Sequence, residues 1–419
     1  MTNLKNIRHV LLAALTIGAS GAIWGWATVL ARAENQAPVE EPAQATAAAV
    51  SCTPQPGLPP TAPQLQLGVW KNIGPTQVPF GPSPFTFATA IGRDVCNPAT
   101  LYIGVQGFDV VASRAGIYKT TNAGSTWTRM GNLDSPVQMS VNPQDPQHVV
   151  VADGVRGNTL GLWVSRDGGI TWNLTQGWAA QRVDKYIDDT YDIANDPADF
   201  NHMLVTFHVA WGWTDTQWNA NSGVLETRDG GLTWITHPPI DGWGTAHGIW
   251  FINSTTWLLG TQGNGYWRTT NSGASWQQVT PVSMIHGGGQ LYRSPTTGAL
   301  YITGYRTVLR NADGTGASWT SIGGSDGMGV IGDGNLLYHG PYFPSQGSGR
   351  YVSAPEGNPT TWTPFNQTVI NGPYKMAFDP VNRIVYSSSW EAGVLALKVG
   401  GNSPVPTTPA APTNLRITR

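Results

Sequence analysis

The chain repeats the octapeptide Ser165-Arg-Asp-Gly-Gly-Ile-Thr-Trp172 in altered form along most of its length. Clear copies are Thr120-Thr-Asn-Ala-Gly-Ser-Thr-Trp127, Thr227-Arg-Asp-Gly-Gly-Leu-Thr-Trp234 and Thr269-Thr-Asn-Ser-Gly-Ala-Ser-Trp276; a fifth, Asn311 to Trp319, has one extra residue, and a sixth keeps little beyond Thr361-Trp362. The short Asp or Asn side chain can accept hydrogen bonds from the turn backbone, and glycine supplies the positive φ of a tight hairpin. The pattern therefore predicts a series of β-hairpin turns, each closed by a tryptophan.

The spacing of these tryptophans gives the size of the repeating unit. The six are 45, 62, 42, 43 and 43 residues apart, which is the length of a four-stranded propeller blade. The last repeat ends after its third strand-like run, at Lys398, whereas residues 68–73 form a strand-like run that precedes the first blade. We therefore expect an all-β, seven-bladed β-propeller of four-stranded antiparallel blades, closed by this N-terminal strand.

The consensus Ser/Thr-x-Asp/Asn-x-Gly-x-Thr/Ser-Trp resembles the Asp box of BNR-repeat β-propellers. That group includes sialidases, xyloglucan hydrolases, sortilin-like receptors and photosystem II assembly factors. The resemblance covers about residues 67 to 399. We interpret the box residues as structural and not catalytic: Asn122, Trp127, Asp167, Trp172, Asp229, Trp234, Asn271, Trp276, Asp313 and Trp319.

Both ends of the chain differ in composition from the repeats. Residues 1–33 combine two early basic residues, a long apolar stretch and the small-x-small pattern Ala31-Arg32-Ala33. This pattern predicts a signal peptide, or an N-terminal anchor, since the apolar stretch is nearly long enough to span a membrane. We expect residues 34–66 to be an Ala/Pro-rich linker, 67–400 the propeller and 401–419 a Pro-rich tail. The protein is therefore predicted to be secreted or displayed at the cell surface.

Composition narrows the possible partners. The formal net charge is -2 and charged residues make up 11% of the chain, so neither nucleic acid nor an anionic membrane surface is an expected partner. Membrane contact is expected only through the possible anchor. In an exported protein the cysteines Cys52 and Cys96 are predicted to form a disulfide, with two unrelated thiols as the alternative. We expect no metal, no cofactor and a monomer.

The period of the repeat is broken at the third blade, where the box tryptophans are 62 residues apart. The box turns join the third and fourth strands of each blade, so the additional loop residues are expected on the opposite face. Tryptophans beside polar side chains can bind sugars, because the ring covers the C–H face of a pyranose while polar groups bind its hydroxyls. The predicted ligand residues are Trp178, Tyr186, Trp211, Trp213, Trp218, Trp243, His247, Tyr342 and Trp390. For any single residue the alternative is that its ring packs the long loops together.

Glycoside hydrolysis would require two carboxyl groups across a cleft. The candidates are Asp188, Asp189, Asp215 and Glu391, although the pair Asp188-Asp189 can equally cap a turn. The segment from Tyr191 to Pro197 resembles the inner-strand pattern Asp-Ser-Ile-Ala-x-Asp-Pro of xyloglucan hydrolases, but Tyr191 occupies the position of the catalytic Asp. A sialidase would carry Arg-Ile-Pro near its first blade, and this sequence has none.

These patterns predict an exported carbohydrate-active propeller, either glycan-binding or glycoside-hydrolase-like, whose polysaccharide site lies opposite the boxes. If the protein is an enzyme, we expect a glycoside hydrolase with two carboxylates and not a typical sialidase. A non-catalytic protein-interaction or assembly-factor propeller is the alternative. The sequence leaves open whether any catalysis occurs.

Overall fold

A computed structural model describes residues 54, 57–81, 86–107, 114–155, 157–178, 189–208, 222–240, 242–284, 289–325, 327–341, 349–357, 359–369, 372–390 and 392–401. These residues all belong to one compact unit, Glu40–Arg419. Within these ranges 28 strands form seven four-stranded antiparallel sheets, which confirms the predicted seven-bladed propeller. No helix in the described ranges has the length and apolar character needed to cross a membrane.

The strands of each blade follow chain order from the central channel to the outer rim, and β1 (Trp70–Gly74) is the outer strand of the last blade. Blade 1 consists of β2 (Thr86–Arg93), β3 (Leu101–Gly107), β4 (Gly116–Thr120) and β5 (Thr128–Met130). Blade 2 consists of β6 (Pro136–Val141), β7 (Val149–Asp153), β8 (Gly161–Ser165) and β9 (Asn173–Leu174). Blade 3 consists of β10 (Thr190–Asp196), β11 (Asp199–Phe207), β12 (Val224–Thr227) and β13 (Ile235–His237).

The remaining blades have the same order. Blade 4 consists of β14 (Thr245–Asn253), β15 (Thr256–Gln262), β16 (Gly265–Thr269) and β17 (Gln277–Thr280). Blade 5 consists of β18 (Leu291–Arg293), β19 (Leu300–Gly304), β20 (Thr307–Asn311) and β21 (Thr320–Ser321). Blade 6 consists of β22 (Val330–Gly332), β23 (Leu336–His339), β24 (Gly349–Pro355) and β25 (Thr363–Val369). Blade 7 consists of β26 (Pro373–Asp379), β27 (Ile384–Ser389), β28 (Gly393–Lys398) and β1.

Burial differs between the middle and the rim of each blade. All five residues of β7 are buried, because a blade packs against a neighbour on each of its two faces. Such strands are therefore continuous runs of apolar residues without the alternation of a half-exposed sheet. The outer strands are short and more exposed, as in β21, where both residues are exposed.

The box turns are held by their own side chains. In blade 2 the Asp167 carboxylate accepts the Thr171 N–H at 2.9 Å and the Thr171 hydroxyl at 2.6 Å. The Ser165 hydroxyl in turn accepts the Gly169 N–H at 2.7 Å. Asp229 of blade 3 and Asn271 of blade 4 accept the corresponding backbone N–H, each at 2.9 Å, while the Asn271 NH₂ donates to the Ser275 hydroxyl. The box aspartates thus have their acceptor atoms engaged within the turn.

Box tryptophans also connect one blade to the preceding one. The Trp127 indole N–H of blade 1 donates to the Ile73 carbonyl of β1 at 2.8 Å. The Trp362 indole of blade 6 donates to the Ile322 carbonyl, which follows β21 of blade 5, also at 2.8 Å. Each such bond joins consecutive blades across an apolar interface.

The ring is closed by pairing the two ends of the propeller. Residues Trp70, Lys71 and Asn72 of β1 pair antiparallel with Leu397, Ala396 and Leu395 of β28, as predicted for the N-terminal strand. The Gln367 side chain of β25 then binds the Trp70 backbone twice: its amide oxygen accepts the Trp70 N–H and its NH₂ donates to the Trp70 carbonyl, each at 2.7 Å. One side-chain amide therefore links blade 6 to the closing strand.

The predicted disulfide can be followed at one end only. Cys96 is disulfide-bonded, and no described cysteine is free. Cys52, the other cysteine of the chain, lies outside the described residues.

A chain of ionisable side chains, most of them buried, crosses blade 3. His202 contacts the Asp196 carboxylate through Nδ1 at 3.0 Å and the Glu226 carboxylate through Nε2 at 2.9 Å. Glu226 also contacts His237 at 2.8 Å and Arg228 at 2.6 Å. Burial alone would raise the pKa of Glu226, but the hydrogen bonds from both histidines and the Arg228 charge outweigh it and lower the pKa to about 2.

We expect the Gln367→Ala variant to lose about 1–2 kcal/mol of unfolding free energy, because both Trp70 backbone groups lose a partner. Urea denaturation followed by circular dichroism measures this loss. Gln277→Ala, which removes an exposed amide from the outer strand β17, is the matched control and should stay within about 0.5 kcal/mol of the wild type. Equal losses of unfolding free energy in the two variants would contradict a stabilising role of the Gln367–Trp70 hydrogen bonds.

Glu226 should make the fold sensitive to acid. Its folded-state pKa of about 2 lies below its ordinary value of 4.5, so its stabilisation is complete above pH 4.5 and is lost as the pH falls toward 2. We expect Glu226→Gln to cost about 3–5 kcal/mol at neutral pH and to flatten the stability profile in that range. Asp199→Asn, an exposed carboxylate of the same blade, should leave the profile unchanged. If stability depended on pH in the same way in Glu226→Gln and in the wild type, Glu226 would not be the source of the acid sensitivity.

Candidate functional site

The candidate site lies at the end of the propeller opposite the box turns. We call this end the loop face; it carries the turns between the second and third strands of each blade and the crossovers between blades. Many of the predicted residues fall outside the described part of the chain. They are Asp188, Asp215 and Glu391 among the catalytic candidates, and Tyr186, Trp211, Trp213, Trp218 and Tyr342 among the ligand residues. Their roles remain predictions.

Two predicted ligand residues, Trp178 and Trp243, are fully buried, so the prediction was wrong for them. Trp178 packs edge-on against the box residue Trp234, with ring centroids 5.3 Å apart and planes at 77°. Trp243 packs in the same way against Trp276, at 5.5 Å and 79°. Each tryptophan lies in the crossover that precedes a blade and contacts the box tryptophan of that blade. Their rings complete the core between blades and offer no face to a ligand.

The other two described ligand candidates, His247 and Trp390, lie at the loop-face end of the channel. His247 is buried, so the prediction of a ligand contact was wrong for this residue as well. Its Nε2 lies 3.2 Å from the His208 carbonyl, and its ring lies 4.7 Å from that of Tyr191. The half-buried Trp390 stacks on Phe87 at 4.2 Å and on Tyr374 at 5.2 Å. These five rings form what we call the aromatic floor.

A carboxylate–imidazole pair stands beside the aromatic floor. The Asp189 carboxylate lies 2.9 Å from Nδ1 of His208, and the two side chains are 19% and 13% exposed. The same carboxylate accepts the Val155 N–H. Asp189 was a catalytic candidate, whereas His208 was not predicted. Asp189 precedes β10 and His208 follows β11, and the pairing of Thr190 with Phe207 at the ends of these strands brings them together.

The backbone of Val155 contacts this pair. Its φ of 55° lies in the left-handed region, which a β-branched residue rarely adopts. In this conformation its N–H reaches Asp189 and its carbonyl accepts the Ser135 hydroxyl at 3.1 Å. Strain of this kind is typical of functional sites, where it holds a group in place. The Asp189 carboxylate is therefore fixed by two donors at the entrance to the channel.

The channel below the floor is bridged by polar side chains. Lys375 of β26 lies 3.7 Å from Asp192 of β10, so the pair joins blade 7 to blade 3. Gln138 donates to Asp192 at 3.0 Å, and Lys375 donates to the Gly289 carbonyl at 2.6 Å. Burial raises the pKa of Asp192 and lowers that of Lys375, while each partner's charge opposes this effect. Asp192 is thus a member of the channel core and contributes no carboxylate to the loop face.

Two further carboxyl groups near this face are structural. Asp153 is completely buried, and burial raises its pKa well above the ordinary value. Asp134 accepts hydrogen bonds from the backbone and side chain of both Asn158 and Thr159, at 2.7–3.2 Å. Tyr191, in place of the Asp of xyloglucan hydrolases, is buried and hydrogen-bonded to Tyr374. Neither Asp153 nor Tyr191 is placed to supply an accessible acid.

Comparison with known proteins agrees with the fold. No protein-family profile matches the chain. The chain is similar to the xyloglucanase Xgh74A of Acetivibrio thermocellus, with 24% identity over 225 residues that cover 46% of this chain. The chain spans about a quarter (26%) of the length of this curated relative.

Solved structures with a similar fold include the following two propellers. An ancestral GH74 enzyme has a TM-score of 0.53 and 17% identity, covering 79% of this chain and 46% of that chain. YCF48 from Cyanidioschyzon merolae has a TM-score of 0.50 and 14% identity, covering 79% of this chain and 98% of that chain. These similarities confirm the resemblance to such propellers at the level of the fold.

The burial of Trp178 and Trp243 has a measurable consequence. Truncation of either residue to Ala should remove about 3–5 kcal/mol of unfolding free energy, because it leaves a large cavity between blades. Urea denaturation followed by circular dichroism provides the measurement. Tyr305→Ala, which removes a ring that is 52% exposed, is the control and should change stability by about 0.5 kcal/mol or less. A Trp178→Ala protein of wild-type stability would contradict the burial.

Proposed function

We propose that this protein is an exported polysaccharide-binding propeller whose ligand lies on the loop face. The observation that carries the proposal is the Asp189–His208 pair, fixed by the Val155 N–H and set beside the aromatic floor. Carboxylate and imidazole groups hydrogen-bond sugar hydroxyls. Of the floor rings Phe87, Tyr191, Tyr374 and His247 are buried, and the half-buried Trp390 is the one that can contact a sugar. The segment that follows His208 in the sequence contains Trp211, Trp213 and Trp218.

Similarity to a xyloglucanase supports a polysaccharide as the ligand class. The matched relative is named for xyloglucan, a neutral polysaccharide, and one of the propellers with a similar fold is a GH74 enzyme. We place binding before hydrolysis because Tyr191 stands where xyloglucan hydrolases carry an Asp, and because Asp192 is paired within the channel. A hydrolytic activity would have to come from Asp189 together with Asp188, Asp215 or Glu391.

A protein-interaction or assembly-factor propeller is the second candidate. The fold similarity to YCF48 covers 98% of that chain, whereas it covers 46% of the GH74 enzyme. The similar fold thus makes up nearly the whole of the YCF48 chain, as expected if one propeller is sufficient for function in that protein. The experiment below separates the two functions.

Binding should be measured by isothermal titration calorimetry against a polysaccharide panel that includes xyloglucan. We expect Trp213→Ala and Asp189→Asn each to weaken binding about tenfold, through loss of ring stacking and of a fixed acceptor respectively. Leu232→Ala, which removes an exposed apolar side chain from a box turn, is the matched control and should bind as the wild type does.

Release of reducing ends should be assayed on the same panel. Binding without release supports the proposed function. Release that disappears in Asp215→Asn or Glu391→Gln would show an enzyme instead. Failure of the wild-type protein to bind any polysaccharide would overturn the proposal and favour the protein-interaction propeller.

A further inference from the structure

We propose that Tyr305 is a second sugar-stacking position, which extends the polysaccharide site from blade 3 onto blades 4 and 5. This inference rests on the proposed function. Tyr305 lies at the tip of the hairpin between β19 and β20, and therefore on the loop face. None of the predicted ligand residues belongs to this hairpin.

The Tyr305 ring is unusually accessible for this protein. It is 52% exposed, and no other aromatic side chain in the described ranges is as exposed. Other described aromatic rings, such as Trp178 and Tyr374, pack into or between blades. The ring is not part of the core, and at the hairpin tip it presents an apolar face and a phenolic hydroxyl to a ligand.

The neighbouring residue holds the ring at a conformational cost. Arg306 has a φ of 57°, a region in which glycine is favoured. The corresponding turn of blade 4 does use glycine, with Gly263 at 96° and Gly265 at 76°. In blade 5 the guanidinium carbon of Arg306 lies 5.0 Å from the centre of the Tyr305 ring, a cation–π contact that restrains the ring. The left-handed conformation of Arg306 strains this turn, and the cation–π contact orients the Tyr305 ring.

Ser283 fixes the hairpin tips of two blades at once. Its hydroxyl accepts the Gly263 N–H at 2.7 Å, and its carbonyl accepts the Tyr305 N–H at 2.8 Å. The exposed side chains of Gln262 and Asn264 flank the same position in blade 4. The Ser283 hydroxyl also donates to the Met284 carbonyl at 3.0 Å, so it is engaged in holding the two tips. The Tyr305 ring and the two exposed amides are therefore carried by hairpin tips that one residue joins.

This surface indicates a ligand that is a chain of hydroxyl-bearing sugars. Tyr305 and its neighbours lie on blades 4 and 5, which follow blade 3 around the ring, and blade 3 carries the Asp189–His208 pair. A single sugar would occupy one position, whereas a polysaccharide can contact both and gain affinity from the second. We infer that Tyr305 binds a sugar unit remote from Asp189.

The test compares a long and a short ligand by calorimetry, using xyloglucan and a short xyloglucan oligosaccharide. We expect Tyr305→Ala to weaken binding of the polysaccharide about tenfold and to leave the oligosaccharide within about twofold. Tyr305→Phe keeps the ring and should bind both ligands as the wild type does. Arg306→Gly relieves the left-handed strain, so its melting temperature should rise while its affinity for the polysaccharide falls.

The outcomes distinguish this inference from the proposed function. If the wild type binds xyloglucan and Tyr305→Ala binds it equally well, the second position is refuted while the polysaccharide-binding function stands. A rise in the Arg306→Gly melting temperature with unchanged affinity would assign the Arg306–Tyr305 contact a purely structural role and would also refute it. If the wild type binds no polysaccharide of the panel, both the proposed function and this inference fail.

Discussion

Closure of the ring is the constraint on which this structure depends. Each blade buries both of its faces, so every blade needs two neighbours, and a missing outer strand would expose an edge and an interface together. The chain meets this requirement by pairing β1 with β28, which lie at opposite ends of the propeller sequence. The Gln367 amide then binds the backbone of the closing strand as an additional strand would, by donating and accepting one hydrogen bond.

Closure also determines where a ligand can bind. The inner strands converge so closely that Lys375 and Asp192 meet across the axis, and the channel becomes part of the core. What remains accessible is the surface around its mouth. There the ends of β10 and β11 place Asp189 and His208 together, and a strained Val155 supplies the N–H that orients the carboxylate. The inner strand β10 thus contributes both to the contact across the channel, through Asp192, and to the position of Asp189.

Local features of the fold could be predicted from the sequence, and long-range packing could not. The box turns depend on residues within eight positions of each other, and the closing strand followed from the blade that lacked a fourth strand. The roles of Trp178 and Trp243 depend on which ring lies across the next interface. The local sequence does not separate these two from the ligand candidate Trp213, because all three follow a glycine. His208 and the Glu226 chain depend on strand register, which the sequence pattern does not specify.

The closing strand also determines how the propeller responds to mechanical load. Leu67 pairs with Lys398, and the Gly68 N–H donates to the Lys398 carbonyl at 2.9 Å, so the chain enters and leaves the ring at one point of its rim. Because β1 and β28 are antiparallel, tension between these two ends opens their hydrogen bonds one after another from Trp70 onward. Tension applied at these two ends therefore loads the hydrogen bonds of the seam one at a time, while the disulfide at Cys96 gives the chain a further covalent attachment at blade 1.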